Sequence, residues 1–265
     1  RAWAALGFET HHLYDEQGAK LIPGDLVMAE GLEDKFLPHI PGATYVLHNC
    51  DWSKYGEREA RYLALQVYTH DVLDRDCRRL APFTYHQSVP GCLGVLYQPW
   101  ATNLLPEEIN LENSRLERSA NVVWVGTIGD GVFGNREQID PFRKEAGAHG
   151  FVWWQLPTCN DELHRTAIKM AALAPTITGK WQTEVGYIPC RAFKNVSYGQ
   201  PCLTNSAAVY SALNGHATLD TDTAHLFAVG IHVAEDREAI ADAMRYVQAE
   251  HTFINRCQRI LEVIA

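Results

Sequence analysis

Two prolines and a glycine punctuate the most constrained stretch of this chain. Pro189 suits a first helical turn, where its missing N–H would be unpaired in any case, and Gly199 suits a helix end. Pro201 forbids continuation, so the pattern predicts one short helix over residues 189–198. Cys202-Leu203-Thr204 then reads as a brief strand, and Asn205-Ser206 as a polar pair that caps a further helix from Ala207. Helix-start N–H groups, the cations Arg191 and Lys194, and the hydroxyls and amides of Asn195, Thr204, Asn205 and Ser206 thus fall within one supersecondary unit. That combination suits an anion.

The rest of the chain alternates short apolar runs with amphipathic segments, the signature of a mostly parallel sheet covered on both faces. Strands are predicted over 8–14, 26–29, 45–48, 63–68 and 94–103, with a helical turn at 32–37 and helices at 57–62 and 73–80. Residues 2–7 read as the end of a helix whose preceding strand is missing, so the first domain is expected to begin late. Residues 105–120 are polar and charged and read as an interdomain connection. A second α/β series follows, with strands at 121–126, 151–156, 174–178 and 217–219 and helices at 136–148, 161–171, 236–250 and 252–264. The chain accordingly divides into an N-terminal α/β domain over 1–104, a linker over 105–120, and a C-terminal α/β domain over 121–265. The final helix is free to pack back on the first domain.

The net charge of −9 argues against a duplex-binding surface, which needs clustered Lys and Arg, so no nucleic-acid partner is expected. No run of eighteen apolar residues is present, and no signal peptide is visible at Arg1. Seven scattered cysteines without CxxC spacing point to reduced thiols in a cytoplasmic compartment rather than to zinc or a disulfide framework. Two histidine–aspartate pairs follow predicted strands of the first domain, His48 with Asp51 and His70 with Asp71. An imidazole near neutral pKa can take a proton from a hydroxyl while a carboxylate fixes its tautomer, and either pair can equally cap a strand end. Trp52, Tyr55, Trp100, Trp153, Trp154 and Trp181 offer faces for stacking or side chains for packing.

Val125-Gly126-Thr127 and the run Pro189-Cys190-Arg191-Ala192-Phe193-Lys194-Asn195-Val196-Ser197-Tyr198-Gly199-Gln200-Pro201 resemble two motifs of GT-B glycosyltransferases, especially the spore-maturation (CgeB-like) and group 1 families. There a "VGT/S" strand opens the C-terminal domain, and "P-x-R-x-F-E-x-x-x-x-G-x-P" introduces the helix that holds the donor. The resemblance covers residues 121–264 by pattern. It implies two facing Rossmann-like domains and transfer of a sugar from a nucleotide-diphosphate donor to a hydroxyl acceptor, glycan or other. By the same resemblance Gly126, Thr127, Arg191, Lys194, Asn195, Thr204, Asn205 and Ser206 would contact the donor, with Tyr187 and Ile188 at its base. One position departs from the pattern. The family's glutamate holds the ribose hydroxyls, and here Lys194 replaces it. An ammonium accepts no hydrogen bond from a diol, so Lys194 is expected at the diphosphate instead. No metal or cofactor is expected, because Asp220-Thr221-Asp222 follows a predicted strand as a helix cap rather than a metal loop.

Gly129-Asp130-Gly131-Val132-Phe133-Gly134 spells G-x-G-x-x-G between a strand and a helix, which reads first as a simple flexible loop and second as the motif of an NAD-dependent oxidoreductase. Its glycines begin three residues late, and the second strand ends without an acid until Asp161. A sugar-nucleotide epimerase and a non-catalytic nucleotide-sugar-binding protein are further readings of the same fold.

Overall fold

The computed structural model describes residues 1–11, 21–30, 40–48, 61–67, 91–156 and 160–265. Two compact units result: Arg1–Pro99 with Arg256–Ala265, and Trp100–Asn255.

The first unit is built on a four-stranded parallel sheet in sequential order: β1 (Leu26–Glu30), β2 (Thr44–His48), β3 (Arg61–Gln66) and β4 (Cys92–Tyr97). Strand periodicity sorts its side chains onto two faces. Val27, Tyr45, Leu47, Tyr62 and Ala64 share one buried cluster. Val46, Leu63 and Leu65 face the other way, against Ile260 and Ile264 of the terminal helix and Trp3 of α1 (Ala2–Ala5). The expected helix over 57–62 gives way at its end to β3, since Tyr62 pairs with both neighbouring strands and is buried. Residues 8–11 of the expected first strand form no strand. The turn at 32–37 and the helix at 73–80 lie outside the described residues.

The second unit opens with residues 105–120, expected as a linker. They fold into it instead as two short 3-10 turns, Pro106–Glu108 and Leu111–Arg115. Arg237 fixes the second turn by donating to the Ser114 carbonyl at 3.1 Å. Next come β5 (Asn121–Val125), α2 (Arg136–Ala148), β6 (Val152–Leu156), α3 (Asp161–Met170), α4 (Lys180–Glu184) and α5 (Arg191–Ser197). These are followed by β7 (Leu203–Thr204), α6 (Ala207–Ala212), β8 (Thr218–Leu219), α7 (Thr223–Val233) and α8 (Arg237–Glu250), while α9 (Phe253–Ile264) leads into the first unit.

β5 pairs with β6 and β7 with β8, both in parallel. Residues 172–176 join the pairs: the Ala172 N–H donates to Asn121, Val123 to Leu173 and Thr176 to Leu203. Parallel bridges Val122–Leu173 and Thr176–Thr204 mark the same path. The spatial order is therefore β6, β5, residues 172–176, β7, β8. From β5 the chain steps first to one side and then to the other, so its carboxyl end is a topological switch point, where open α/β sheets form their ligand crevice. The core of this unit packs Val122, Trp124, Ile139, Phe142, Leu203, Leu226 and Phe227. Asp222 caps α7 through the Ala224 and His225 N–H groups, as its sequence context predicts. Among the described residues no helix is long and apolar enough to cross a membrane.

Candidate anion site

At the carboxyl end of β5 the backbone turns at Gly126, whose φ of 128° favours glycine. A Cβ there would also crowd Arg191 Nη2, at 3.2 Å. Arg191 enters from the start of α5 and lays its guanidinium over the Trp124 ring, Cζ 3.9 Å from the centroid. That is cation–π geometry. Trp124 is 1% exposed, and its indole Nε1 has no hydrogen-bond partner. Arg191 Nη1 is likewise buried and unpartnered, and no carboxylate pairs with this arginine among the described residues. Both groups only donate, and the empty Cβ position of Gly126 is bordered by Nη2 of the guanidinium at 3.2 Å and by the indole Nε1 at 3.9 Å. Burial holds the guanidinium below its ordinary pKa, opposed by Cys190 and Tyr187. Arginine remains charged under such pressure, so the arrangement lacks a counter-charge.

Arg191 and Lys194 stand one turn apart on α5, and the two cations differ in their pairing. Lys194 Nζ lies 3.9 Å from Asp161 Oδ1, in the first turn of α3. His164, one turn further along α3, is buried edge-on to Tyr198 with ring centroids 5.8 Å apart. Its Nε2 has no partner. Burial first, then Lys194 and Arg191, push its pKa down to about 4 against the opposing Asp161, so the imidazole is neutral. Tyr198 donates to Asn103 Oδ1 at 2.6 Å, and burial raises its pKa to about 12.

Most of the other residues expected at a donor have structural positions. Asn205 grips Thr178, accepting from its N–H at 2.9 Å and donating to its carbonyl at 2.9 Å. Ser206 caps α6 at Val209, and Thr204 Oγ1 accepts the Ser206 N–H at 3.1 Å. All three residues are buried. Asn195 donates to the Ala174 carbonyl at 2.9 Å, which ties α5 to the sheet, and Ile188 is a core residue. Tyr187 lies beside Arg191 and hydrogen-bonds Trp100. Thr127 is exposed at the strand end, its carbonyl accepting from Asn135 at 3.3 Å. The helix expected over 189–198 begins only at Arg191 and has seven residues, too short for its N–H groups to form an anion site of their own. Arg191 and Gly126 are brought together with Trp124, which sequence reasoning assigned no role. Nothing local separates Trp124 from any other apolar strand residue.

Of the expected catalytic residues, His48 ends β2 at the carboxyl edge of its sheet. Asp51, His70 and Asp71 lie outside the described residues. β1–β4 run in sequential order, so the strand order does not reverse among them and they give no switch point.

The glycine loop is closed on itself. The Gly129 carbonyl accepts from the Asn135 and Arg136 N–H groups, both at 3.0 Å, and Asn135 Oδ1 accepts from the Gly129 N–H at 3.1 Å. A Cβ on Gly134 would meet the Gly129 carbonyl at 2.4 Å, and one on Gly179 would meet the Gly134 carbonyl at 2.1 Å. Two N–H groups that a dinucleotide phosphate would use at the head of α2 are thus already bonded. The glycines serve close packing. Among the described residues no group of three or more His, Cys, Asp or Glu side chains is arranged to hold a metal ion.

In comparisons with known proteins, the chain matches no protein-family model and has no significant match among curated sequences.

Proposed function

We propose that this protein transfers a sugar from a nucleotide-diphosphate donor to an acceptor hydroxyl, with a donor phosphate held at the carboxyl end of β5 by Arg191 and Trp124. The observation that carries the reading is that the Arg191 guanidinium, whose Nη1 is buried and unpartnered, and the unpartnered Trp124 indole N–H both border the space beside Gly126. A phosphate oxygen would accept from both and neutralise the guanidinium in one step. The site lies at the switch point of a parallel sheet, the position where such sheets bind nucleotides. The motif resemblance at 125–127 and 189–201 points to the same class of ligand. Bond cleavage leaves a nucleoside diphosphate whose growing charge a fixed guanidinium stabilises, which is work otherwise done by a metal ion. His48, Asp51, His70 and Asp71 are the proposed candidates for the base that activates the acceptor.

A thermal-shift screen against UDP, GDP, ADP, CMP and NAD tests the reading, since a ligand bound only by the folded state raises the melting temperature. One nucleoside diphosphate should raise it by several degrees, with NAD inert and the shift unaffected by EDTA. A shift with NAD alone would replace transfer with hydride chemistry.

A further inference from the structure

The seam between α3 and α5 carries charge that the β5 site does not use. Asp161, His164, Arg165 and Ile168 recur at helical spacing along one face of α3. Arg191, Lys194, Asn195 and Tyr198 do the same on α5 and its cap. The stripes meet through the Lys194–Asp161 pair and the His164–Tyr198 ring contact, and Arg165 is close enough to Tyr198 for its charge to be felt there. Two cations outside the β5 site, Lys194 and Arg165, therefore face one carboxylate, in a chain whose net charge is −9. Two buried polar atoms here lack partners, His164 Nε2 and Arg165 Nε. His164 is 9% exposed. Loosening of the seam does not explain these vacant bonds, because buried hydrogen bonds fix both helices. Gln200 donates to the Ile168 and Ala171 carbonyls at 2.8 and 3.0 Å, and Arg118 joins the Ala172 and Gly199 carbonyls.

We propose that this seam is a second phosphoryl subsite, in which Arg165 and His164 bind an anionic phosphate oxygen beside Lys194. It rests on the reading of the Arg191 site as a phosphate site and extends it by one group. The ligand is thereby a molecule, or a pair of molecules, that presents two phosphoryl groups to this unit. Binding is coupled to a proton. The groups facing His164 are Lys194 and Arg191 from α5 and Asp161 on its own helix, and burial with the two cations keeps the free imidazole neutral. An anion placed at Nε2 offsets that field, and His164 takes up a proton to become a second charged donor.

The test is NMR on the full chain, following the His164 ring signal, assigned by its loss in His164→Gln, and the Trp124 indole N–H through pH titrations with and without inorganic pyrophosphate. The expected result is a midpoint for His164 raised by about one unit or more by pyrophosphate. Arg165→Gln should abolish that rise while leaving the indole response intact, and Arg165→Lys should restore part of it. A moving indole with an unmoved His164 midpoint would overturn the seam subsite and leave the Arg191 site standing. If neither signal responds, both readings fall. Inorganic phosphate added at saturating nucleoside diphosphate separates the two sources. A further rise in the midpoint means a separate phosphorylated molecule, and no further rise means the nucleotide's own second phosphate.

Discussion

His164 and Lys194 illustrate how a side chain's chemistry depends on what the fold leaves beside it. From the sequence His164 has no assigned role and Lys194 is expected at a diphosphate, yet the one is a neutral buried imidazole and the other is paired with Asp161. The imidazole has a direct consequence for stability. Its pKa falls from an ordinary 6.5 to about 4, with burial as the largest cause. Between those values the unfolded chain holds the proton and the folded chain does not. Stability is therefore unaffected by this group above the ordinary value and falls as pH drops from about 6.5 toward about 4. The loss is at most about 3 kcal/mol. Urea unfolding at a series of pH values should show a shallower acid decline for His164→Gln than for the parent chain. Parallel declines would mean that His164 is protonated when folded.

At the scale of elements, the loop that follows β5 is held by backbone contacts that only glycine permits. Gly179→Ala would drive a Cβ to 2.1 Å from the Gly134 carbonyl, which is not a flexible side-chain end that can move aside. The substitution should cost about 1–3 kcal/mol in urea unfolding and displace residues 127–135. An unchanged midpoint would show that the loop is not packed on α4. The sequence made much of this level readable. Strand β5 and helices α2 and α8 fall within a residue or two of their predicted bounds, because caps and periodicity are local signals. α7 was legible only through its cap, since a helix apolar on nearly all sides carries no amphipathic pattern. The glycine loop spelled a dinucleotide motif, but its Asn135 and Arg136 N–H groups are taken up by its own hydrogen bonds and its backbone is packed against Gly179, far away in sequence. Arg191 and Gly126 were legible as candidates, while Trp124 and His164 were not. Their roles come from an aromatic face under a guanidinium and an imidazole between two helices, contacts between residues distant along the chain.

For the molecule as a whole, the acidic balance makes its positive loci conspicuous. A chain of net charge −9 concentrates Arg191, Lys194 and Arg165 along two facing helices of one unit, at the carboxyl edge of a parallel sheet with a switch point. Unpaired buried charge destabilises a fold unless something else compensates it, so a guanidinium left this way points to a ligand. The most direct measurement is calorimetric titration of the nucleoside diphosphate that gives the largest thermal shift into the parent chain and Arg191→Gln. Removing a charged hydrogen bond of about 1.5–3 kcal/mol should weaken binding by about 10- to 100-fold. The melting temperature of the variant without ligand should change little, because the lost cation–π contact with Trp124 is offset by relief of an uncompensated buried charge. Equal affinity for the two proteins would contradict the account.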